Sequence, residues 1–218
     1  PAVQLGTYDS YDLSPDGRWA LVGRQNGKDL ILLPTGAGQP RTLPNGGINV
    51  QAAVFFPDGR RILLNGNEPG HRLRLYVLEL DGAKPRPISP EGVQISRSAV
   101  LSPDGRTITA LGPDGRMMLY PSEPGEPRLL PGFQNGEIAI RWTADGRAVW
   151  IYRPNEVPAK VYRLDVTTGE RSLWKELTPP DPAGVLLMGP IVMTPDGKSY
   201  VYSYRRTLDE LFLVEGLR

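Results

Sequence analysis

Short apolar segments alternate with dense turn signals along the chain. Segments 30–33 and 73–78 are typical, because each is rich in Leu, Ile or Val and has Gly, Pro or Asp within a few residues on both sides. Short strands separated by turn residues give this pattern, and no segment sustains a helical period beyond a single turn at 207–210. The pattern therefore predicts an all-β fold.

One tetrapeptide recurs at intervals of 41–51 residues, as Pro-Asp-Gly-Arg in three copies, Ala-Asp-Gly-Arg in one and Pro-Asp-Gly-Lys in the last. Its glycines are Gly17, Gly59, Gly105, Gly146 and Gly197. A repeat of roughly 40–45 residues is typical of a four-stranded propeller blade. Within each copy, Pro sets φ near −65°, Asp accepts bonds from nearby backbone N–H groups, and Gly tolerates positive φ. Each copy therefore predicts a tight turn between the first two strands of a blade.

The first repeat contains four predicted strands, at 8–13, 19–22, 30–33 and 41–43, and the other repeats follow the same order. The sequence thus predicts a single-domain, five-bladed β-propeller of four-stranded antiparallel blades. The expected blades are approximately 8–43, 44–89, 90–130, 131–177, and 178–218 together with 1–7.

The fifth repeat has only three predicted strands before Arg218, whereas segment 3–6 resembles the fourth strands of the other repeats. We expect this N-terminal strand to complete the last blade, because a closed ring leaves no long unpaired edge. An open fragment of a six- or seven-bladed ring is the alternative. The chain begins at Pro1 instead of Met. We expect it to be processed or excised from a longer protein, so whether a kinase, a membrane span or further blades precede it stays open.

Composition limits the classes of function. The 25 basic and 24 acidic residues are spread along the chain, which predicts no clustered basic surface and no nucleic-acid binding. No apolar run approaches the roughly 20 residues that cross a bilayer, so we expect no membrane insertion by this segment. The absence of cysteine excludes zinc–thiolate sites, disulfides and thiol catalysis. We expect a monomer.

No residue pattern predicts catalysis, a metal site or a cofactor. His71 is the single histidine, and no Gly-x-Ser-x-Gly sequence supplies a nucleophile for it, so we interpret it as a solvated loop residue. The acidic residues of the turns lack calcium-loop spacing and are interpreted as turn formers. They are Asp16, Asp58, Asp104, Asp145 and Asp196.

Polar residues near the starts of the first strands would lie at the mouth of a central channel. Alignment on the turns places Asp9, Gln51 and Arg97 at one level, together with Ile138 and Gly189. Asp12 and Arg141 fall at a second level. The inner strands carry three carboxylates, Asp9, Asp12 and Glu137. A glycosidase would need two carboxylates about 5–9.5 Å apart. Such polar groups either bind a ligand or satisfy one another and trapped water.

The longest predicted loops, at 65–72, 152–160, 177–188 and 204–210, lie on the same face as the channel mouth. They carry an aromatic–arginine patch of the residue types favoured at protein interfaces, Tyr152, Arg153, Tyr204, Arg205 and Arg206. The alternative is that Tyr204 caps its blade and the arginines are solvated. The candidate binding residues are therefore Asp9, Gln51, Arg97, Glu137, Tyr152, Arg153, Tyr204, Arg205 and Arg206.

The repeat, with Ser-Pro-Asp-Gly-Arg after the first strand and Tyr-Val-Leu-Glu-Leu-Asp-Gly at 76–82, resembles the WD40-like PD40 repeat of TolB-type propellers. Segments 196–206 and 213–218 are similar to the ends of propellers carried by bacterial receptor-like Ser/Thr kinases. The resemblance covers essentially the entire chain. Within this sequence we recognise neither the extra N-terminal domain of TolB-type proteins nor a kinase motif. The resemblance implies a bacterial propeller with an extracytoplasmic or periplasmic location.

Together, these observations predict a non-catalytic binding or sensor module of a larger bacterial signalling or envelope protein. Its loops would meet a protein or small-molecule ligand. The alternative is a propeller hydrolase, either a glycosidase with channel carboxylates or the accessory propeller of a prolyl-peptidase-like enzyme.

Overall fold

The computed structural model describes residues 7–24, 29–82, 84–95, 101–194 and 196–208. The chain divides into two compact units, Pro1–Pro131 and Gly132–Arg218. Within the described residues every regular element is a β-strand, and every pairing is antiparallel. The predicted all-β class is confirmed.

The first unit contains three sheets whose strands pair in chain order. The first sheet is β1 (Asp9–Leu13), β2 (Trp19–Gly23), β3 (Leu30–Pro34) and β4 (Arg41–Leu43), and the second is β5 (Asn49–Phe55), β6 (Arg61–Asn67), β7 (Arg74–Glu79) and β8 (Arg86–Pro87). The third is β9 (Thr107–Leu111), β10 (Met117–Pro121) and β11 (Arg128–Leu129). Its predicted first strand falls partly at 96–100, outside the described residues.

The second unit contains two sheets. One is β12 (Ile138–Trp142), β13 (Ala148–Tyr152), β14 (Ala159–Asp165) and β15 (Arg171–Leu177), and the other pairs β16 (Val185–Met193) with β17 (Tyr200–Arg206). The segments predicted to complete this last sheet, 211–214 and 1–6, lie outside the described residues. Closure of the ring therefore stays a prediction.

All five repeats turn in the same register. The residues that close the first hairpin are Leu13 with Ala20, Phe55 with Ile62, Leu101 with Ile108, Trp142 with Val149, and Met193 with Tyr200. Each turn glycine has a φ between 66° and 71°. The prediction of a tight turn that needs positive φ is confirmed.

A hydroxyl group supports four of the five turns, and sequence reasoning did not single it out. In the fourth repeat, Thr143 Oγ1 donates to Asp145 Oδ1 at 2.5 Å and accepts from Ala148 N at 3.1 Å. Ser14, Ser102 and Thr194 do the same in their repeats. Phe56 occupies this position in the second repeat, where Asp58 Oδ1 instead accepts from Arg61 N.

Apolar residues from successive sheets pack face to face within each unit. In the first unit, Leu21 and Leu32 of the first sheet join Ile62, Leu64 and Leu78 of the second in one buried cluster. Side chains alternate between the two faces of a strand, so the inner strands need apolar residues at consecutive positions to bury both faces. Burial of each such Leu or Ile contributes about 1.5–3 kcal/mol.

The turn glycine can be tested with a matched pair of variants. Gly59→Val should reduce the free energy of unfolding by more than about 1 kcal/mol, because a β-branched residue resists positive φ. Space is not the cause, since a Cβ on Gly59 would lie 3.7 Å from Pro15 Cδ. Gly36 is the control, because its φ is outside the left-handed region and its Cβ position is open. Equal urea-unfolding curves for Gly59→Val and Gly36→Val would contradict the turn assignment.

The turn hydroxyl can be tested through pH. The bond from Thr143 lowers the pKa of Asp145 below its ordinary value of 3.8. A lowered folded-state pKa gives stability that is present above the ordinary value and lost as pH falls through the folded value. Thr143→Val should therefore cost about 1–2 kcal/mol near neutral pH, and this cost should shrink as the pH falls below the ordinary Asp pKa of 3.8. Thr143→Ser, which keeps the hydroxyl, should unfold like wild type. A cost of Thr143→Val that does not change with pH would contradict the role of Asp145.

Candidate functional site

The second unit contains a polar cleft of about 310 Å³ on the four-stranded sheet β12–β15. Two loops form much of its lining, because β12 begins opposite the end of β13, where Ile138 pairs with Tyr152. This brings the connection before β12 next to the loop between β13 and β14. We call it the Glu137 cleft, and its lining residues are Gln134, Glu137, Arg153, Glu156, Lys160, Tyr162 and Arg171.

Glu137 is the buried centre of this cleft, with a side chain only 1% exposed. Its Oε1 accepts a hydrogen bond from Arg171 Nη2 at 2.5 Å, and its Oε2 accepts one from Gln134 N at 2.7 Å. Arg153 Nε lies 4.0 Å from the same Oε1. A carboxylate is buried at tolerable cost only when it is paired and hydrogen-bonded in this way.

The protein itself holds both guanidinium groups in position. The guanidinium of Arg171 lies over the ring of Tyr162, 4.7 Å from the ring centroid. Arg153 Nη2 donates to Gln134 Oε1 at 2.7 Å, and its Nη1 lies 3.8 Å from Glu156 Oε1. Side chains ordered in advance lose less conformational entropy on binding. The arrangement therefore suits recognition of a ligand by fixed hydrogen-bond donors.

Tyr152 and Arg153 are consecutive, so they point to opposite faces of the sheet. Tyr152 is 3% exposed and packs in the cluster that contains Met188 and Ile191, and burial raises the pKa of its hydroxyl. A Cβ on Gly189 would collide with that hydroxyl. Tyr152 therefore contributes to the core, whereas Arg153 lines the Glu137 cleft.

Tyr204, Arg205 and Arg206 are exposed on β17. Arg206 Nη1 forms an ion pair with Asp181 Oδ2 at 2.8 Å. Tyr204 pairs with Met188, whose N–H donates to Pro154 O at 2.6 Å. The C-terminal end of β17 therefore lies beside the loop that carries Arg153. The side chain of Arg153 itself points to Gln134 and Glu137.

The other candidate residues lie in the first unit. Asp9 begins β1 opposite Gly23, and Gln51 occupies an irregular position in β5, and both are exposed. Arg97 lies outside the described residues. The structure therefore brings together Glu137 and Arg153 among the candidates.

The second predicted level of polar residues connects neighbouring sheets. Asp12 Oδ2 accepts from Phe55 N at 2.8 Å, and Arg141 Nη1 donates to Met193 O at 2.5 Å. Burial raises the pKa of Asp12 and outweighs the opposing effect of the backbone N–H groups that it accepts from. These two side chains occupy equivalent places in their repeats and both bond the backbone of the next first strand.

Sequence reasoning did not find Gln134, Lys160, Tyr162 or Arg171. Arg171 begins a predicted outer strand, and no local motif distinguishes it from the other strand arginines. It also did not find the partner of His71, whose Nδ1 lies 2.7 Å from Glu91 Oε1. The side chains of His71 and Glu91 are both at least partly exposed. The pKa of Glu91 is lowered mainly because its carboxylate accepts a hydrogen bond from the backbone N–H of Arg72.

Comparison with solved structures identifies proteins that share this fold. The chain is similar to a protein assigned as TolB from Agrobacterium tumefaciens, with a TM-score of 0.62 and 17% identity over 89% of this chain and 79% of that one. TolB from Acinetobacter baumannii gives a TM-score of 0.60 and 18% identity over 90% of this chain and 54% of that one. The fold is a TolB-like β-propeller.

This TolB-like propeller is also similar to a structure from a study of two prolyl endopeptidases, with a TM-score of 0.52 and 18% identity over 90% of this chain and 30% of that one. The chain thus spans about half of the Acinetobacter protein and less than a third of the endopeptidase. No protein-family model and no curated protein matches it. Among the described residues, no helix has the length and apolar character needed to cross a bilayer.

The pairing of Glu137 can be tested by removing its partner. Arg171→Met should lower the free energy of unfolding by about 2 kcal/mol, because a buried carboxylate loses its shortest partner. The double variant Glu137→Leu/Arg171→Met should recover much of that loss, since no unpaired charge is left. Lys198→Met is the control, because its 3.8 Å pair with Asp196 is exposed and solvent screens it, so its loss should change stability little. If urea unfolding showed Arg171→Met to be as mild as Lys198→Met, the assigned role of the pair would be wrong.

Proposed function

We propose that this TolB-like propeller is a non-catalytic binding or sensor module of a larger bacterial signalling or envelope protein. Its partner, a protein or a small-molecule ligand, meets the loops around the Glu137 cleft and the exposed end of β17. One observation carries the proposal: two guanidinium groups, of Arg153 and Arg171, are held by Glu137 and its neighbours on a four-stranded sheet.

Loops fixed on a rigid sheet are where proteins commonly place binding groups. The Glu137 cleft has this arrangement, since its residues come from two loops and two strands of one sheet. The mechanism is recognition by shape and charge, with no covalent step. Arg and Tyr are also the residue types enriched at interface hot spots, and Tyr204, Arg205 and Arg206 are exposed on β17.

An extracytoplasmic location is part of the proposal. The PD40-like repeats support it, because they resemble those of TolB-type propellers. The lack of cysteine is compatible with an oxidising compartment.

The glycosidase alternative has no specific support in the described residues. Asp12, one of its candidate carboxylates, already accepts a hydrogen bond from Phe55 N between two sheets. Glu137, another candidate, accepts hydrogen bonds on both of its oxygens. The similarity to a prolyl endopeptidase concerns the fold, so it adds no argument for peptidase activity.

The proposal predicts that the arginines are needed for partner capture. The triple variant Arg153→Ala/Arg205→Ala/Arg206→Ala should keep its thermal stability within a few degrees. It should reduce the capture of partners from a bacterial envelope extract by about tenfold or more, because interface arginines contribute strongly to binding. The immobilised protein and quantitative mass spectrometry give the measurement.

The control is Arg18→Ala/Arg60→Ala/Arg106→Ala, which removes three exposed turn arginines and the same charge. Specific partners should be retained by this control and lost by the test variant. If the test variant captured partners as well as wild type does, its three arginines would not contribute to binding, and the proposal would be wrong.

A further inference from the structure

We propose that the Glu137 cleft binds a carboxylate group of an acidic peptide segment, with Arg153 and Lys160 as the residues that contact it. The inference rests on the proposed binding function and specifies the chemistry of its ligand. It is carried by unused hydrogen-bond donors, by the balance of charge in the cleft and by the position of Tyr162.

Arg153 and Lys160 each have N–H donors that form no hydrogen bond within the described residues. Arg153 uses Nη2 for Gln134, but its Nε and Nη1 lie 4.0 Å and 3.8 Å from carboxylate oxygens, which is too long for a hydrogen bond. Lys160 is exposed on β14 and forms no ion pair within the described part of the chain. A carboxylate placed between these two cations would accept charge-assisted hydrogen bonds from both.

The charge of the cleft favours a monovalent anion. Its lining includes three cations, Arg153, Lys160 and Arg171, against two carboxylates, Glu137 and Glu156. The excess of one positive charge matches one carboxylate. A phosphate dianion would instead leave one excess negative charge in the cleft, beside Glu137 and Glu156.

A peptide fits the cleft better than an acidic sugar does. Sugars usually bind against an open aromatic face, but the guanidinium of Arg171 already covers the ring of Tyr162 at 4.7 Å. The volume of about 310 Å³ is at the lower end of the range for small-molecule sites, roughly 300–1,000 Å³. The cleft therefore suits a side chain or a chain end of a peptide that continues across the neighbouring loops.

The test is a nuclear magnetic resonance titration of the isotope-labelled protein with acetylated, amidated tetraglutamate. Signals of Arg153 Nε–H and of Lys160 should shift, and tetraglutamine should shift neither. Lys160→Met should weaken the binding about threefold, as expected for an exposed ion pair, and Arg153→Met about tenfold or more. Lys198→Met, the same change outside the cleft, should bind like wild type. Added salt should weaken the binding.

Two further probes decide the source of the anion. Trigalacturonate that binds as tightly as tetraglutamate, with the same dependence on Lys160, would overturn the assignment to a peptide. Inorganic phosphate that binds more tightly would overturn the assignment to a carboxylate. If tetraglutamate shifts neither Arg153 nor Lys160, the inference is wrong. The envelope-capture experiment is independent of these probes, so the proposed function survives that result as long as capture still requires the arginines.

Discussion

The positive φ of the turn glycines sets the register of the first hairpin in all five repeats. Each glycine fixes the same closing pair between the first two strands of its repeat. Because side chains alternate along a strand, a shift of one residue would move each apolar set to the opposite face. The turn register therefore decides which residues pack between successive sheets, including the cluster of Leu21, Ile62 and Leu64.

The same register builds the Glu137 cleft. Ile138 pairs with Tyr152, so the residues just beyond this pair, Glu137 and Arg153, meet at the end of the sheet. Tyr152 then points into the core beside Met188, and Arg153 points to the other face. A slip of one residue would exchange these two roles and would bury a guanidinium in an apolar cluster. The cleft is therefore a consequence of the turn at Gly146, although no turn residue lines it.

Much of the fold was predictable because its signals are local. The turn motif and the short apolar segments are each visible within a few residues, and the strands of the described sheets follow them. Glu137 and Arg153 were also found, each as a single residue near a strand end. Arg171 was not, because its approach to Glu137 depends on the reach of a long side chain beside a register shift at Val161 and Tyr162. Tyr152 was assigned from the sequence to a surface patch together with Arg153. Side chains of consecutive strand residues point to opposite faces, however, so Tyr152 lies in the core when Arg153 faces the cleft.

Burial of Glu137 is difficult to explain as a source of stability. Removing an ion pair from water costs several kcal/mol, and apolar residues of similar volume often stabilise a fold as well or better. Glu137 instead fixes the positions of Arg153 and Arg171, each of which would otherwise sample many rotamers at a loop or a strand end. The arginines are thereby directed into the cleft, where donors of Arg153 stay available. We therefore interpret the buried carboxylate as a support for recognition, which links the packing of the sheet to the proposed binding function.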